Sequence, residues 1–231
     1  MDFLADAGYQ VVDIARIVDM LAGDVPPNVL GLSFDDGYRD VAENALPMLE
    51  ERGFCATVFV ATAVIDGKAA MTWYRSQPPL LSWAEIGALE RGGTLRFEAH
   101  TLTHPSLLAV DDEQAREEIA DSKTVLETQL ARPVSLFCYP AGLFGERERQ
   151  LVKEAGYRAA VSCEPGTNDS RTDPFALRRL QIDARDGLLD FKAKVGGGHD
   201  THLPLQGLYR SYRRRRYGAG RGRPRLLSSR R

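Results

Sequence analysis

Short apolar runs alternate with helix-like segments along most of the chain, and this alternation restricts the fold more than any other feature. The runs predict strands, which lie at residues 29–34, 57–61, 95–99, 134–139, 159–163 and 177–182. The segments between them show helical periodicity, the longest at residues 111–130. Strands that alternate with helices pair in parallel through helical crossovers. We therefore expect an α/β fold, either a barrel or an open sheet.

The 231-residue chain has an ordinary globular composition, with 43% hydrophobic and 27% charged residues. This length is sufficient for one domain with a sizeable core. No apolar run approaches the roughly 20 residues of a membrane-spanning helix. The acidic start, Met1-Asp2-Phe3, lacks the basic residues of a signal peptide. We expect a cytoplasmic or membrane-peripheral protein, unless a signal lies outside this chain.

The C-terminal segment differs in charge from the rest of the chain. Residues 207–231 contain ten arginines and no acidic residue, so removing them from the net charge of −2 leaves −12 for the remainder. We divide the chain into a domain at residues 1–203 and an Arg-rich tail at residues 204–231, which cannot build a core and is predicted to be disordered. The tail is either simply solvated or attached to an anionic membrane surface. Nucleic acid is a weaker candidate partner.

Two adjacent carboxylates stand at the end of the 29–34 run. Asp35 and Asp36 are followed by Gly37, as a sharp turn requires. Functional groups in parallel α/β folds collect at the C-terminal ends of strands, so one carboxylate can face a metal and the other a substrate. Asp and Gly are also common turn residues, and this stretch alone does not decide between a site and a solvated turn.

A pair of histidines follows the 95–99 run. His100 and His104 are four residues apart, and Pro105 indicates a loop rather than the interior of a helix. The ends of parallel strands lie on one side of a sheet, so both imidazoles are expected near the two carboxylates. Two histidines and one aspartate would leave metal positions open for water and substrate, as hydrolytic sites require. A single histidine would be read as an ordinary loop residue, but the pair favours a metal site.

Two motifs resemble those of a known family. SFDDGY at residues 33–38 and HTLTHP at residues 100–105 are similar to the first two motifs of the polysaccharide deacetylases, or carbohydrate esterase family 4, which share the NodB-homology domain. FCYPAG at residues 137–142 is a looser counterpart of the third motif. The resemblance covers roughly residues 1–200. It implies a distorted (β/α) barrel of parallel strands, here lacking the first strand of the family domain.

The resemblance also implies roles for individual residues. Asp36, His100 and His104 match the ligands of a divalent metal, most often zinc. Asp35 matches the general base that accepts a proton from the attacking water. The backbone N–H of Ala141 matches the donor to the tetrahedral oxyanion, a role that needs no particular side chain.

The chain departs from the family pattern at two functional positions. Ser135 replaces the arginine that orients the base in many members, and Arg178 or Arg179 is the candidate substitute. His199 is the candidate general acid, although residues 196–202 do not look like the family's late motif and also fit a flexible Gly-rich loop end. Without it, the metal-bound water or Asp35 would return the proton to the leaving group.

The predicted function is metal-dependent removal of acetyl groups from an N-acetylated sugar polymer or its precursor, with release of acetate. Tyr139 and Trp73 are predicted to bind the substrate by stacking on sugar rings. One alternative is an O-acetyl esterase of the same family, acting for example on xylan. Another is a catalytically degenerate domain that binds glycan.

Overall fold

The computed structural model of the chain describes residues 1–23, 25–71 and 73–197. The α-helices are α1 Asp2–Asp6, α2 Ile14–Met20, α3 Leu46–Glu50, α4 Thr62–Ile65, α5 Trp83–Gly92, α6 Asp112–Leu130, α7 Glu146–Glu154 and α8 Leu188–Val195. The strands are β1 Gln10–Val11, β2 Val29–Leu30, β3 Leu32–Asp35, β4 Ala56–Val60, β5 Leu95–Ala99, β6 Leu136–Cys138 and β7 Ala159–Val161. The predicted acid His199 and the tail at residues 204–231 lie outside the described residues.

Five strands form a curled parallel half-barrel. Their order is β3-β4-β5-β6-β7, each strand pairs in parallel with the next along the chain, and helices provide the crossovers. A short parallel pair, β1 with β2, lies beside this sheet. The α/β prediction of a distorted (β/α) barrel is confirmed. Because all five strands run in one direction, their C-terminal ends meet along a single edge.

Strands β4, β6 and β7 are buried along their whole length and β5 at every position but Arg96, as continuous apolar runs predict, whereas β3 is half-buried. Val58, Val60, Phe97 and Phe137 belong to the larger core cluster, which also contains buried residues of α5, α6 and α7. Phe59, Leu136 and Cys138 belong to a second cluster together with α2. Among the described helices, none has both the length and the apolar character that crossing a bilayer demands.

Three features differ from the sequence prediction. The 29–34 run is divided into two strands at Gly31. The chain passes close to α2 at this glycine, where an added Cβ would lie 2.8 Å from Ile17 Cδ1. The 177–182 run is not a strand, because only Leu177 forms a bridge, to Val161 at the edge of the sheet. Helix α8, of eight residues, was not predicted from the sequence.

Candidate metal centre and catalytic site

Backbone strain is concentrated where the strands end. Five described non-glycine residues have a positive φ: Asp36 at 74°, Thr101 at 68°, His104 at 59°, Ala141 at 54° and Ala131 at 52°. The first four follow β3, β5 or β6, whereas Ala131 ends α6. Such conformations cost on the order of 1–3 kcal/mol each and persist where the surrounding structure fixes them, often at functional sites.

The structure brings the three predicted metal ligands together. The ligand atoms of Asp36, His100 and His104 all lie within 4.8 Å of one another. Asp36 Oδ1 is 3.4 Å from His104 Nε2 and 3.7 Å from His100 Nε2, and the two imidazole nitrogens are 3.1 Å apart. Asp36 Oδ1 is buried and has no hydrogen-bond partner among the described residues. A buried carboxylate oxygen without a partner is costly, and a cation between these atoms would compensate it.

The hydrogen-bond partner of His100 and the burial of His104 both suit metal binding. His100 Nδ1 is 2.7 Å from the Cys138 carbonyl oxygen. Because a carbonyl only accepts hydrogen bonds, Nδ1 must carry a proton, and in the neutral imidazole this tautomer leaves the lone pair on Nε2. Burial, together with the neighbouring His100, lowers the pKa of His104 to about 3, so His104 is neutral near pH 7. Burial also raises the pKa of the Asp36 carboxyl, against the opposing effect of His100.

A buried carboxylate on α6 holds the histidine loop. Glu118 accepts hydrogen bonds from Leu102 N at 3.0 Å, Thr103 N at 2.9 Å and Thr103 Oγ1 at 2.5 Å. Thr101 Oγ1 accepts a further bond from His104 N at 3.0 Å. Glu118 was not identified from the sequence. The available signal was a carboxylate on the face of α6 that is otherwise buried.

Asp35 is bound by an arginine that lies 144 residues later in the chain. Arg179 Nη1 donates to Asp35 Oδ1 at 2.7 Å, and Arg179 Nη2 donates to Asp35 Oδ2 at 2.8 Å. Arg179 Nε is anchored on the Ser162 carbonyl oxygen at 2.8 Å. Burial works to raise the pKa of Asp35, but the guanidinium outweighs it and holds the pKa well below its usual range. Asp35 is therefore ionised at neutral pH, and Arg179, not Arg178, is the arginine that pairs with it.

A second group of candidate ligands is less suited to a metal. Asp35, His100 and Cys138 also lie within 4.8 Å of one another. Both oxygens of Asp35 are occupied by Arg179, and burial raises the pKa of the Cys138 thiol well above its usual value. A metal needs the thiolate and a free carboxylate oxygen, so the group with Asp36 is favoured.

The loop that carries Ala141 follows β6 at the same edge of the sheet. Gly142 N donates to Tyr139 O at 2.8 Å, and Ala141 between them is exposed. Gly142 has φ 66°, and a Cβ there would lie 2.4 Å from Cys163 N. Only glycine fits this contact, which fixes the loop against the chain after β7.

The two aromatic residues predicted to bind sugar have different environments. Tyr139 has 0% exposure, its ring stacks on Phe144 at 4.5 Å, and its hydroxyl donates to Phe175 O at 2.9 Å. The prediction that Tyr139 stacks on a sugar is wrong, because no face of its ring is open. Trp73 is 49% exposed and lies 4.5 Å from the His104 ring, so it borders the metal group.

Comparison with known proteins gives a consistent family. A family model described as polysaccharide deacetylase matches residues 22–160. YxkH of Bacillus subtilis (strain 168) is 28% identical over 184 residues, which are 79% of this chain and 62% of YxkH. The poly-beta-1,6-N-acetyl-D-glucosamine N-deacetylase of Staphylococcus aureus is 22% identical over 168 residues, which are 69% of this chain and 56% of that enzyme. The chain therefore spans about three fifths of these relatives.

The fold also matches a solved structure. The Streptococcus pyogenes deacetylase PplD, solved in complex with acetate, superposes with a TM-score of 0.74 at 22% identity, over 83% of this chain and 82% of that chain. At this identity the likeness establishes a shared fold, and the chemistry has to be argued from the side chains.

Proposed function

The chain belongs to the polysaccharide deacetylase family, and on that premise we propose that it is a metal-dependent hydrolase that removes acetyl groups from an N-acetylated sugar polymer. The observation that carries this proposal is the convergence of Asp36 Oδ1 and the Nε2 atoms of His100 and His104. An ionised Asp35 lies next in the chain, and its carboxylate is fixed by Arg179.

Asp36, His100 and His104 would hold the metal, and zinc is the ion we expect. Two imidazoles and one carboxylate fit zinc, and Asp36 Oδ1, which has no hydrogen-bond partner among the described residues, lies 3.4 Å from His104 Nε2 and 3.7 Å from His100 Nε2. When bound, such an ion lowers the pKa of a coordinated water and polarises a carbonyl oxygen.

Asp35 is the proposed general base. Hydrolysis consumes one water, breaks the bond between the acetyl carbon and the sugar nitrogen, and leaves acetate and an amine. Asp35 is ionised because Arg179 lowers its pKa, and its carboxylate is the proposed acceptor of the proton of the attacking water. Arg179 occupies both oxygens and thereby fixes the plane of the carboxylate. The Ala141 N–H is the proposed oxyanion donor, with its loop fixed by the Gly142 contact to Cys163.

We expect a polymer of N-acetylglucosamine as the substrate. The Staphylococcus aureus relative is named for that class of polymer, and the exposed ring of Trp73 beside His104 offers a surface on which a sugar can stack.

The deacetylase domain is proposed to span residues 1–203. The ten arginines of residues 207–231 are proposed to attract an anionic membrane surface. Truncation after Gly207 should reduce binding to anionic liposomes, and unchanged binding would contradict the attachment.

One observation favours an O-acetyl ester as a second candidate substrate. A leaving amine must be protonated, whereas an alkoxide leaving group is less demanding. Both histidines of the described residues, His100 and His104, belong to the metal group, so neither is free to act as a separate acid. His199 remains the proposed acid for the amide substrate, and the ester is the candidate that does not depend on it.

The test is acetate release from a short N-acetylglucosamine oligomer and from acetylated xylan, with metal-stripped and zinc-reloaded protein. Release from the oligomer that returns only with zinc supports the N-deacetylase. Acetate release from xylan alone would assign the esterase. No acetate release from either substrate would favour a glycan-binding domain.

A further inference from the structure

The two oxygens of the Asp36 carboxylate have different environments. Oδ1 faces His100 and His104 and has no hydrogen-bond partner among the described residues. Oδ2 accepts a hydrogen bond of 3.0 Å from the Tyr38 hydroxyl. The carboxylate therefore presents one oxygen to the metal group and keeps the other on a tyrosine.

Proton counting gives a direction to the hydrogen bonds around Tyr38. The Tyr38 hydroxyl lies 2.8 Å from the Tyr74 hydroxyl, and either could donate. Tyr38 has a single proton, and an ionised carboxylate accepts more strongly than a neutral phenol. Tyr38 therefore donates to Asp36, and Tyr74 donates to Tyr38. Bonds arranged in such a chain strengthen one another.

The backbone fixes Tyr38 against the segment that precedes α5. Arg39 N donates to Pro79 O at 3.0 Å, Leu81 N donates to Gly37 O at 3.0 Å, and Tyr38 forms an antiparallel bridge with Leu80. The Tyr38 and Tyr74 rings meet edge to face at 6.2 Å. The hydroxyl of Tyr38 thus has a defined position relative to the end of β3.

We propose that Tyr38 is a positioning residue for the metal centre, whose hydroxyl turns Asp36 so that Oδ1 faces the two imidazoles. This inference rests on the proposed function in taking Asp36 as a metal ligand. Tyr74 supports the arrangement by fixing the orientation of the Tyr38 hydroxyl. Without the bond, the Asp36 carboxylate could rotate about its own axis, and the ligand set would be less well preorganised. Loss of such a supporting bond typically weakens metal binding about 10–100-fold.

The experiment compares Tyr38→Phe and Tyr74→Phe with Tyr9→Phe as a matched control. Each change removes one hydroxyl, and Tyr9 packs on Phe3 just before β1. Zinc Kd is measured by competition with a chelator, and the visible spectrum of the cobalt-loaded protein reports the ligand geometry. Tyr38→Phe should raise the Kd about 10–100-fold and change the cobalt spectrum. Tyr74→Phe should raise the Kd less, because Tyr38 keeps its acceptor, and Tyr9→Phe should leave it unchanged.

A Kd for Tyr38→Phe equal to that of Tyr9→Phe, in a folded variant, would overturn the inference. Should Tyr38→Phe fail to fold, Tyr74→Phe decides, and a Kd equal to that of Tyr9→Phe then overturns it. A parent protein that binds zinc but releases no acetate would remove the proposed function and leave the Kd comparison valid. A parent that binds no zinc would overturn both.

Discussion

Arg179 binds both carboxylate oxygens of Asp35 across a separation of 144 residues in the chain, with contacts of 2.7 and 2.8 Å. The arginine side chain is 15% exposed and the aspartate side chain 30% exposed. A bidentate pair with this little exposure restricts the carboxylate in both position and plane. Arg179 thereby holds the proposed base in a single orientation beside Asp36.

Replacing Arg179 should cost both stability and turnover. Arg179→Gln leaves the Asp35 carboxylate without its partner, and we expect a loss of about 2–4 kcal/mol in the free energy of unfolding, reduced by the solvent that reaches Asp35. Arg178→Gln is the matched control, because the Arg178 side chain lies against Gly166. Chemical denaturation at pH 7 measures both variants. Equal stability of the two would show that the Asp35 pair contributes nothing to the fold.

The same variant should shift the pH dependence of acetate release. Arg179 holds the pKa of Asp35 below its usual range, so Asp35 stays ionised in mild acid. The stability from this pair is present above the unfolded pKa of about 3.9 and is lost as the pH falls through the lower folded value. In Arg179→Gln the pKa rises, and the acidic limb of the rate profile moves to higher pH. An acidic limb that stays in place would contradict Asp35 as the base.

Glu118 should be required for metal binding without contacting the metal. In Glu118→Gln the amide no longer provides two anionic acceptor oxygens to Leu102 N, Thr103 N and Thr103 Oγ1. We expect a loss of about 1–3 kcal/mol in stability and a weaker zinc Kd, because the loop also carries His104. Glu117→Gln, on the exposed face of the same helix, is the control in the same titration. Identical zinc affinity of the two variants would mean that the loop holds its shape without Glu118.

Gly142→Ala should reduce turnover and leave zinc binding intact. The added Cβ would lie 2.4 Å from Cys163 N, so the loop with Ala141 must move. Gly53→Ala is the control, since its φ of 63° is close to the 66° of Gly142 and nothing lies within 4 Å of its Cβ position. The positive φ alone costs about 1–2 kcal/mol in both variants. A kcat equal to that of Gly53→Ala would argue against an oxyanion role for the Ala141 loop.

The metal-free protein should lose stability in acid through His104. The folded-state pKa of His104 is lowered to about 3, whereas in the unfolded chain it is about 6.5. Below pH 6.5 only the unfolded chain takes up this proton, so stability falls with pH by up to about 1.4 kcal/mol per unit. Denaturation of the parent and of His104→Gln at pH 7 and pH 5 isolates the effect, since the two proteins share every other titratable group. If the free energies of unfolding of the parent and of His104→Gln differ by the same amount at pH 7 and at pH 5, His104 is not the source of the acid sensitivity.

Strand ends were the part of the site that the sequence could predict. Asp35 and Asp36 follow one apolar run and His100 follows another, and the parallel rule places such ends at one edge. The arginine could only be narrowed to two candidates, because Arg178 and Arg179 both lie in the 177–182 run, which forms a single bridge at Leu177 and not the predicted strand. Tyr139 was misassigned because an aromatic residue beside a motif has the same sequence signature whether its ring is open or, as here, stacked on Phe144.

Zinc content and acetate release should be measured side by side for the parent, Asp35→Asn and His104→Ala, because together they separate the metal centre from the base. We expect the parent to bind one zinc ion and to release acetate from an N-acetylglucosamine oligomer. Asp35→Asn should keep the zinc and lose turnover, because Asp36, His100 and His104 remain, and His104→Ala should lose both. Near-normal turnover in Asp35→Asn, or full zinc content in His104→Ala, would contradict the assignment of the base or of the metal centre.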